Sequence, residues 1–518
     1  MPAIRREYVL LGIAFIVLTI STIAWTLVNR TPPSWDPSDH MRTAYNFYRP
    51  LSQARFGELF RELFYSRHAY GPLFHWITAG IFLVAGVSRL TGIAANFLGL
   101  AVLLLSVNWI GDRLHPPPSR SSGFGIRPGA IAALLAACYH FPAWLVHEAF
   151  LDYLLMAMVA LAFALFIRAG EFHERTDAVL FGVVAGIGML AKQTFPFFFI
   201  LPAAFLCCRA WIRGDRRATA NLSFAALIAI LIAAIWYVPH LSEVLSIYSV
   251  NASNAVVEHE APVFSFRFLA YYWGVLGGLQ IQLIFTILFV CGLAYSVRRR
   301  VRQDWMLYLW ILSGILSFTL IANKDTRYTV PILPAVALLS VSWLNGIRLN
   351  RQLPAAVMIV LWAFVSFFNA QWPSPRMDLQ LRALGMPFYF LSGDVYRFDH
   401  RPLAEDWSIP DIVRTASGKL GVVPNIWQLN PSNIGLYARM NAPQVKVYWL
   451  SDESAAVGLD QCDYVLVRTR LETAERVEPV ERRIAAYLIE RPDHFIPVAT
   501  YALPHAQEAV LYRRKSLS

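Results

Sequence analysis

Charged residues are scarce in this chain. Lys, Arg, Asp and Glu make up only 15% of its 518 residues, whereas hydrophobic residues make up 57% and the mean hydropathy is +0.46. In a soluble domain about a quarter of the residues are charged. A large soluble protein with buried helices is therefore a poor explanation, and the composition indicates an α-helical membrane protein with many spans.

Cysteine is also scarce, and its pattern excludes some kinds of site. Four of the five cysteines lie within or at the ends of apolar runs, and Cys462 stands alone in the polar C-terminal part, so that part has no internal disulfide. No CxxC or His/Cys cluster suggests structural zinc. The sequence also has no nucleotide-binding glycine loop, no GxSxG and no HExxH.

The net charge of +11 is unevenly distributed. From Gln371 onward there are 17 Lys and Arg and 17 Asp and Glu, which cancel. The positive excess therefore lies in short loops between apolar runs of the first 370 residues. This is the positive-inside pattern of membrane proteins, and it predicts no nucleic-acid partner.

Twelve apolar runs divide the first 371 residues. The first follows Arg5 and Arg6 and has no small-residue cleavage site after it, which predicts an uncleaved span with a cytoplasmic start. The runs fall at 8–28, 71–88, 91–110, 129–146, 152–168, 177–191, 194–208, 220–238, 268–296, 305–322, 328–345 and 354–371.

The basic loops select one topology. Arginine-rich segments lie at 111–128, 207–219, 297–303 and 345–353. All four lie inside with the amino terminus only if the run at 71–88 does not cross the membrane. That run also begins with Tyr70-Gly71-Pro72, and a Gly-Pro pair is a poor start for a helix that simply crosses the membrane. We therefore predict eleven spans and one juxtamembrane helix, with the carboxyl terminus outside.

Residues 372–518 have the composition of a soluble domain, which this topology places outside the cell membrane. Alternating helix-like and strand-like stretches predict a small α/β or α+β domain. The predicted helices are Ile409–Leu420, Asn433–Met440 and Val480–Glu490, and the predicted strands are Gly421–Ile426, Gln444–Leu450, Asp463–Val467, Phe495–Tyr501 and Glu508–Tyr512, the last two as a hairpin.

The same topology collects polar residues on the outer side, at helix ends far apart in sequence. Charged groups at a bilayer edge indicate a functional site. They include Asp36, Asp39 and His40 after the first span, Asp152, Lys192, a loop at 239–267 with His259 and Glu260, and the segment Lys324-Asp325-Thr326-Arg327-Tyr328.

These segments resemble the lipid-dependent glycosyltransferases of the GT-C superfamily, in particular the bacterial branch similar to protein mannosyltransferases and aminoarabinose transferases. The matching pieces are Trp35-Asp36-Pro37-Ser38-Asp39-His40, Tyr70-Gly71-Pro72-Leu73-Phe74-His75-Trp76, Ala191-Lys192-Gln193-Thr194 and Lys324-Asp325-Thr326-Arg327-Tyr328-Thr329-Val330-Pro331-Ile332-Leu333-Pro334. The resemblance covers the membrane part and, loosely, Glu508 to Arg514.

The resemblance implies a bacterial inner-membrane enzyme that transfers a sugar from a polyprenyl-phosphate carrier at the extracytoplasmic face, with inversion. It implies that Asp36 is the general base. The family usually has Asp-Glu here, whereas Pro37 follows Asp36 in this chain, so Asp39 is the candidate for the second acid. The aminoarabinose branch has Glu-Lys before its double proline, where this chain has Tyr70-Gly71.

The chemistry of such a transfer agrees with these residue types. Phosphate is a good leaving group, so one carboxylate that deprotonates the acceptor suffices. The charge that grows on the phosphate requires cations, and Lys192 and Arg327 are the outward candidates. Tyr328 is a further candidate for phosphate or sugar contact, and His40 and Asp152 are supporting candidates.

Two other functions remain open at this stage. A flippase or transporter of lipid-linked sugars would place charges near the middle of the membrane, and a glycan-binding membrane protein would leave Asp36, Lys192 and Arg327 without a role. A divalent metal is possible, for example at His259 and Glu260. The sugar, and whether the acceptor is a glycan, lipid or protein, are open as well.

Overall fold

The computed structural model describes residues 6–116, 127–257, 260–373, 379–383, 386–391, 401–451, 458–470 and 479–515. The membrane part contains the helices α1 Arg6–Val28, α2 Trp35–Ser52, α3 Phe56–Phe64, α4 Leu73–Ala85, α5 Arg89–Ile93, α6 Ala95–Leu114, α7 Pro128–Cys138, α8 His140–Leu145, α9 Leu151–Ala169, α10 Arg175–Ala191, α11 Ile200–Ile212, α12 Arg216–Tyr237, α13 Leu241–Val257, α14 Phe266–Val275, α15 Gln282–Arg299, α16 Trp305–Thr319, α17 Leu333–Val341 and α18 Leu349–Gln371.

The chain is a multi-pass membrane protein. Six of the described helical segments are long and apolar enough to cross a bilayer, and five shorter apolar helices accompany them. At 1.5 Å per residue, the 23 residues of α1 extend about 35 Å, against a hydrocarbon core of about 30 Å. The helix α4 has only 13 residues. The count of eleven spans, with a juxtamembrane helix at 71–88, stays a prediction.

The helices sort into a buried centre and a lipid-facing periphery. Every residue of α7 and of α17 is buried. Small side chains such as Ala let these helices approach their neighbours closely. By contrast, α12 exposes Ile230, Leu231 and Ile235. A broad apolar surface of this kind is unfavourable in water and favourable in contact with lipid.

Several apolar runs that the sequence presented as continuous are interrupted. Short 3-10 turns at Phe195–Phe198 and Val330–Ile332 contain Pro196 and Pro331, because proline has no N–H to donate to a regular helix. A π turn, Leu276–Gln280, joins α14 to α15 within the run 268–296.

Two helical parts of the membrane region lie outside the predicted apolar runs. The helices α2 and α3 occupy residues between the first two apolar runs, and α13 occupies most of the predicted loop 239–267. Their sequences are polar or alternate polar with apolar residues, so they contain no long apolar run.

The C-terminal part contains the helices α19 Ile409–Thr415, α20 Pro431–Asn441 and α21 Pro479–Glu490, and the strands β1 Leu379–Ala383, β2 Met386–Leu391, β3 Lys419–Val422, β4 Lys446–Trp449, β5 Tyr464–Thr469, β6 Phe495–Ala502 and β7 Glu508–Arg514. The predicted α/β or α+β class is confirmed, and β6 and β7 form the predicted antiparallel hairpin. The domain boundary between 371 and 372 stays a prediction.

A mixed five-stranded sheet with the order β4-β3-β5-β7-β6 forms this domain. The strand β3 is parallel to β4 and β5, and β7 is antiparallel to β5 and β6. The prediction of a helix through Leu420 followed by a strand through Ile426 was wrong in its bounds. Gly418, with φ of +65°, turns the chain after α19, and β3 ends before Pro424.

A second sheet, the hairpin β1–β2, was not predicted. It packs against the π turn, where a Cβ on Gly278 would lie 2.4 Å from the carbonyl oxygen of Pro387. Only glycine permits this approach.

One contact between the C-terminal domain and the membrane part joins α20 to α2. Ser432 Oγ donates a hydrogen bond to Asp39 Oδ2 (3.0 Å), and Arg439 Nε donates one to Asn46 Oδ1 (2.9 Å). Both donors lie on α20. The helix that carries the first acidic segment is therefore held between the membrane helices and the outer domain.

Candidate active site

The structure joins the first acidic segment to the late Arg-containing segment. Nη1 of Arg327 donates a hydrogen bond of 2.8 Å to Oδ2 of Asp36. Nε of Arg327 lies 3.1 and 3.0 Å from the two carboxylate oxygens of Asp325, and the Arg327 backbone N–H donates to Asp325 Oδ1 (2.8 Å). One guanidinium therefore bridges two carboxylates.

These charges determine the protonation of Asp36. Burial raises the pKa of its carboxyl, but the positive charge and the hydrogen bond of Arg327, with a smaller contribution from Lys192, outweigh burial and lower the pKa below the ordinary 3.8. The side chain is still 46% exposed. Asp36 is therefore an accessible carboxylate at neutral pH that can accept a proton.

A second ion pair lies close by, between Asp152 at the start of α9 and Lys192 directly after α10. Lys192 Nζ donates a hydrogen bond of 2.7 Å to Asp152 Oδ1, and the two side chains are only 9% and 3% exposed. Asp152 does not cap α9, since no side chain caps that helix. Lys192 Nζ also lies 5.5 Å from the centre of the Tyr328 ring.

Histidines complete this side of the site. His40 Nδ1 lies 3.2 Å from His75 Nε2, so one ring donates to the other, and both side chains are buried. Burial lowers the pKa of His40 to about 4. His40 is therefore a neutral imidazole at physiological pH, suited to hydrogen bonding rather than to charge.

Two cavities meet at Asp36 and Arg327. The first, the α13 cavity, has a volume of about 200 Å³ and is lined by Asp152, Lys192 and Tyr328, with His40 and Tyr70, and by Tyr248 and Asn251 of α13. The second, the tryptophan cavity, has a volume of about 250 Å³ and is lined by Trp35, Trp144, Phe150, Tyr271 and Trp427. A molecule in either cavity reaches the same carboxylate.

Asp39 has different surroundings from Asp36. It pairs with Arg42 (2.7 Å) and accepts the hydrogen bond from Ser432. Burial raises the pKa of Asp39, with Arg42 and Ser432 opposing the effect. Among the residues that the structure places around the two cavities, Asp39 does not occur. Its described contacts hold α2 against the C-terminal domain.

Lys324 also has a structural position. Its Nζ donates to the carbonyl oxygens of Phe318, Thr319 and Ile321 at 3.1, 2.9 and 2.6 Å. These bonds give hydrogen-bond partners to carbonyl groups at and just after the C-terminal end of α16. Burial lowers the pKa of Lys324 to about 8.

Several residues of the site were not selected from the sequence. Asp325 lies in a segment that was noted, but only its pairing with Arg327 makes it part of the site. The centre of the Phe150 ring lies 4.5 Å from Cζ of Arg327. Trp427 reaches the site from the C-terminal domain. No sequence periodicity marks either of these two aromatic residues.

The described residues offer little for a metal ion. No group of three or more His, Cys, Asp or Glu side chains within them is arranged to hold one. His259, half of the suggested metal pair, lies outside the described residues. Between Asp36 and Asp325 the positive charge is supplied by Arg327.

Solved structures of similar fold cover nearly the whole chain. ArnT, the aminoarabinose transferase from Cupriavidus metallidurans, in the apo state has a TM-score of 0.59 and 14% identity over 96% of this chain and 98% of that chain. The same protein bound to undecaprenyl phosphate has a TM-score of 0.54 and 14% identity over 96% and 97%. Arabinofuranosyltransferase AftD from Mycobacteria has a TM-score of 0.53 and 14% identity over 99% of this chain and 40% of that chain.

No family model and no curated protein matches the chain. The structural likeness confirms the predicted fold, a helical membrane part followed by a small C-terminal domain, which this chain shares with ArnT and AftD.

Proposed function

We propose that this protein is a membrane glycosyltransferase that moves a sugar, with inversion, from a polyprenyl-phosphate donor to an acceptor. Asp36 is the general base. The observation that carries the proposal is the position of Asp36 and Arg327 where two separate cavities meet. A transferase requires a donor site and an acceptor site that share one reactive point.

The α13 cavity is suited to the donor. Helix α13 exposes Leu241, Leu245, Val250 and Val256, so one wall faces lipid, from which a polyprenyl chain would enter. Lys192 and Tyr328 lie on this cavity, and Lys192 directs one of its three ammonium protons to Asp152. ArnT, which shares the fold, has been solved with undecaprenyl phosphate bound.

The proposed reaction uses these residues as follows. Asp36 takes the proton of the acceptor hydroxyl or amine, and the acceptor atom attacks the anomeric carbon from the face opposite the phosphate. The bond from that carbon to the phosphate oxygen breaks, and polyprenyl phosphate leaves with the electron pair. Lys192, Arg327 and Tyr328 stabilise the added negative charge, His40 orients the site as a neutral donor or acceptor, and Asp152 positions Lys192.

The site lies on the extracytoplasmic side of a bacterial plasma membrane in this proposal. Its support is the positive-inside bias, which places Arg5, Arg6 and the basic loops in the cytoplasm and the C-terminal domain outside.

Release of polyprenyl phosphate tests the proposal. The purified protein is incubated with undecaprenyl-phosphate sugars, with membrane extract as the acceptor source, with and without chelator, and the lipid product is measured by mass spectrometry. Asp36→Asn should lower release by about 10²–10⁴-fold, the range for a lost general base, while donor binding persists. Equal release by both proteins would refute the role of Asp36, and no release of any sugar would favour a flippase or a binding protein.

A further inference from the structure

A rigid loop of the C-terminal domain carries Trp427 into the tryptophan cavity. Asn430 is fully buried, and its Nδ2 donates to the carbonyl oxygens of Ile426 (3.0 Å) and Trp427 (3.1 Å). Its Oδ1 accepts from the backbone N–H of Asn433 at the start of α20 (3.0 Å). The loop is therefore a fixed extension of a helix that is docked on α2.

Trp427 forms a pair with the residue next to Asp36. The centres of the Trp427 and Trp35 rings are 5.5 Å apart, and the ring planes meet at 86°. Trp35 Nε1 also donates a hydrogen bond to Asn425 Oδ1 (2.6 Å). Both rings are half-buried, so each still presents surface to the cavity. Two aromatic faces, held from both domains, lie beside the proposed base.

The charges around this cavity do not favour an anion. The charged residues that the structure places on its lining are Asp36, Asp325, Lys324 and Arg327, which sum to zero. The three N–H donors of Lys324 bond to three backbone carbonyl oxygens. The guanidinium of Arg327 lies between the carboxylates of Asp36 and Asp325. A phosphate or carboxylate entering from this side would meet Asp36 and Asp325, and the cation between them, Arg327, is the one proposed to serve the donor phosphate.

We propose that the tryptophan cavity recognises the acceptor as a neutral sugar ring, which packs its C–H face on Trp427 and Trp35 and directs a hydroxyl to Asp36. This inference rests on the proposed function, whose acceptor it specifies as a glycan hydroxyl. A pocket that is largely aromatic with a few convergent polar groups suits such a ring. The acceptor O–H gives its proton to Asp36, its oxygen bonds to the anomeric carbon, and polyprenyl phosphate departs.

The test separates donor from acceptor. The full-length protein in nanodiscs receives a donor that it cleaves and one of three acceptors, namely an octyl glycoside of a neutral hexose, a phosphorylated glycolipid or a Ser/Thr peptide. We expect transfer to hydroxyls of the neutral glycoside. Trp427→Ala should raise the KM for that acceptor about tenfold, the loss of one aromatic contact of about 1.4 kcal/mol, and move the donor KM far less. Trp427→Tyr should recover most of the affinity.

Trp449→Ala is the matched control, because Trp449 is an exposed tryptophan of the same domain that does not line the cavity. It should leave both KM values unchanged. Preferred transfer to the phosphate group or to the peptide would overturn the inference and leave the proposed function intact. Transfer to the glycoside that is indifferent to Trp427→Ala would overturn the role of the two rings. If no donor is cleaved at all, the proposed function fails, and this inference fails with it.

Discussion

Arg327 and Asp36 are 291 positions apart in the sequence, yet Nη1 of the arginine lies 2.8 Å from Oδ2 of the aspartate. The same guanidinium also contacts Asp325, two positions before it. This bridge links the first and the last charged segments of the candidate site. It also keeps the proposed base ionised.

The pH dependence of the reaction should report this pairing. The pKa of Asp36 is lowered from 3.8, so the carboxylate persists as pH falls and is lost only as pH passes through the depressed value. The acid limb of kcat/KM for polyprenyl phosphate release should therefore lie below about pH 4. Arg327→Gln removes the largest influence that lowers this pKa, so the limb should move to higher pH. Arg327→Lys, which keeps the charge, should move it less, and identical limbs in all three proteins would contradict the prediction.

Asp39 should behave differently from Asp36. Its carboxylate contacts Arg42 and Ser432 rather than either cavity. Because an asparagine oxygen can still accept the bond from Ser432, Asp39→Asn should keep transfer within about threefold, against a loss of about 10²–10⁴-fold for Asp36→Asn. Release of polyprenyl phosphate measured side by side checks this. A loss in Asp39→Asn as large as that in Asp36→Asn would return Asp39 to the catalytic set.

The ion pair between Lys192 and Asp152 should affect stability and donor binding separately. Removing one partner of a buried pair leaves the other charge without compensation, so Lys192→Met should lower the free energy of unfolding by about 3–5 kcal/mol. The double variant Lys192→Met/Asp152→Asn should recover part of that loss, as thermal unfolding in detergent would measure. Donor affinity should stay low in both variants. Recovery of donor affinity in the double variant would argue against phosphate binding by Lys192.

Gly71 should not tolerate a side chain. A Cβ at this position would lie 2.2 Å from the carbonyl oxygen of Leu190 in α10, which is backbone and cannot rotate away. Gly71→Ala should therefore lower stability by about 1–3 kcal/mol and displace the neighbouring Tyr70 from the α13 cavity. Gly80→Ala in α4 is the control, since nothing lies within 4 Å of its added Cβ. Similar melting temperatures for the two variants would refute the packing argument.

The predicted topology can be read from cysteine labelling in intact cells. In a cysteine-free background, Tyr448→Cys on the exposed edge of the C-terminal domain should react with a membrane-impermeant maleimide. Arg299→Cys, in the basic segment 297–303, should react only after permeabilisation. The reverse pattern, in which Arg299→Cys reacts in intact cells and Tyr448→Cys is protected, would contradict the assignment of 71–88 as a juxtamembrane helix.

The C-terminal domain shows how far local patterns extend. Four of its predicted strands match β4, β5, β6 and β7 closely, because alternating side chains and flanking turn residues mark them. The strand order β4-β3-β5-β7-β6 depends on contacts between distant segments and carries no local signal. The hairpin β1–β2 was missed because it packs against the π turn, far earlier in the chain, and such a contact leaves no local signal.

The sequence by itself determined the membrane class, the position of the apolar runs and the placement of Asp36, Lys192 and Arg327 at helix ends, because charges are costly inside a bilayer. Only the tertiary structure decided which charges meet. It paired Asp36 with Arg327 and Lys192 with Asp152, turned Asp39 toward Ser432, and brought Trp427 from the outer domain to Trp35. Such pairs depend on how helices and domains close on one another, and residues hundreds of positions apart leave no trace of that in a local pattern.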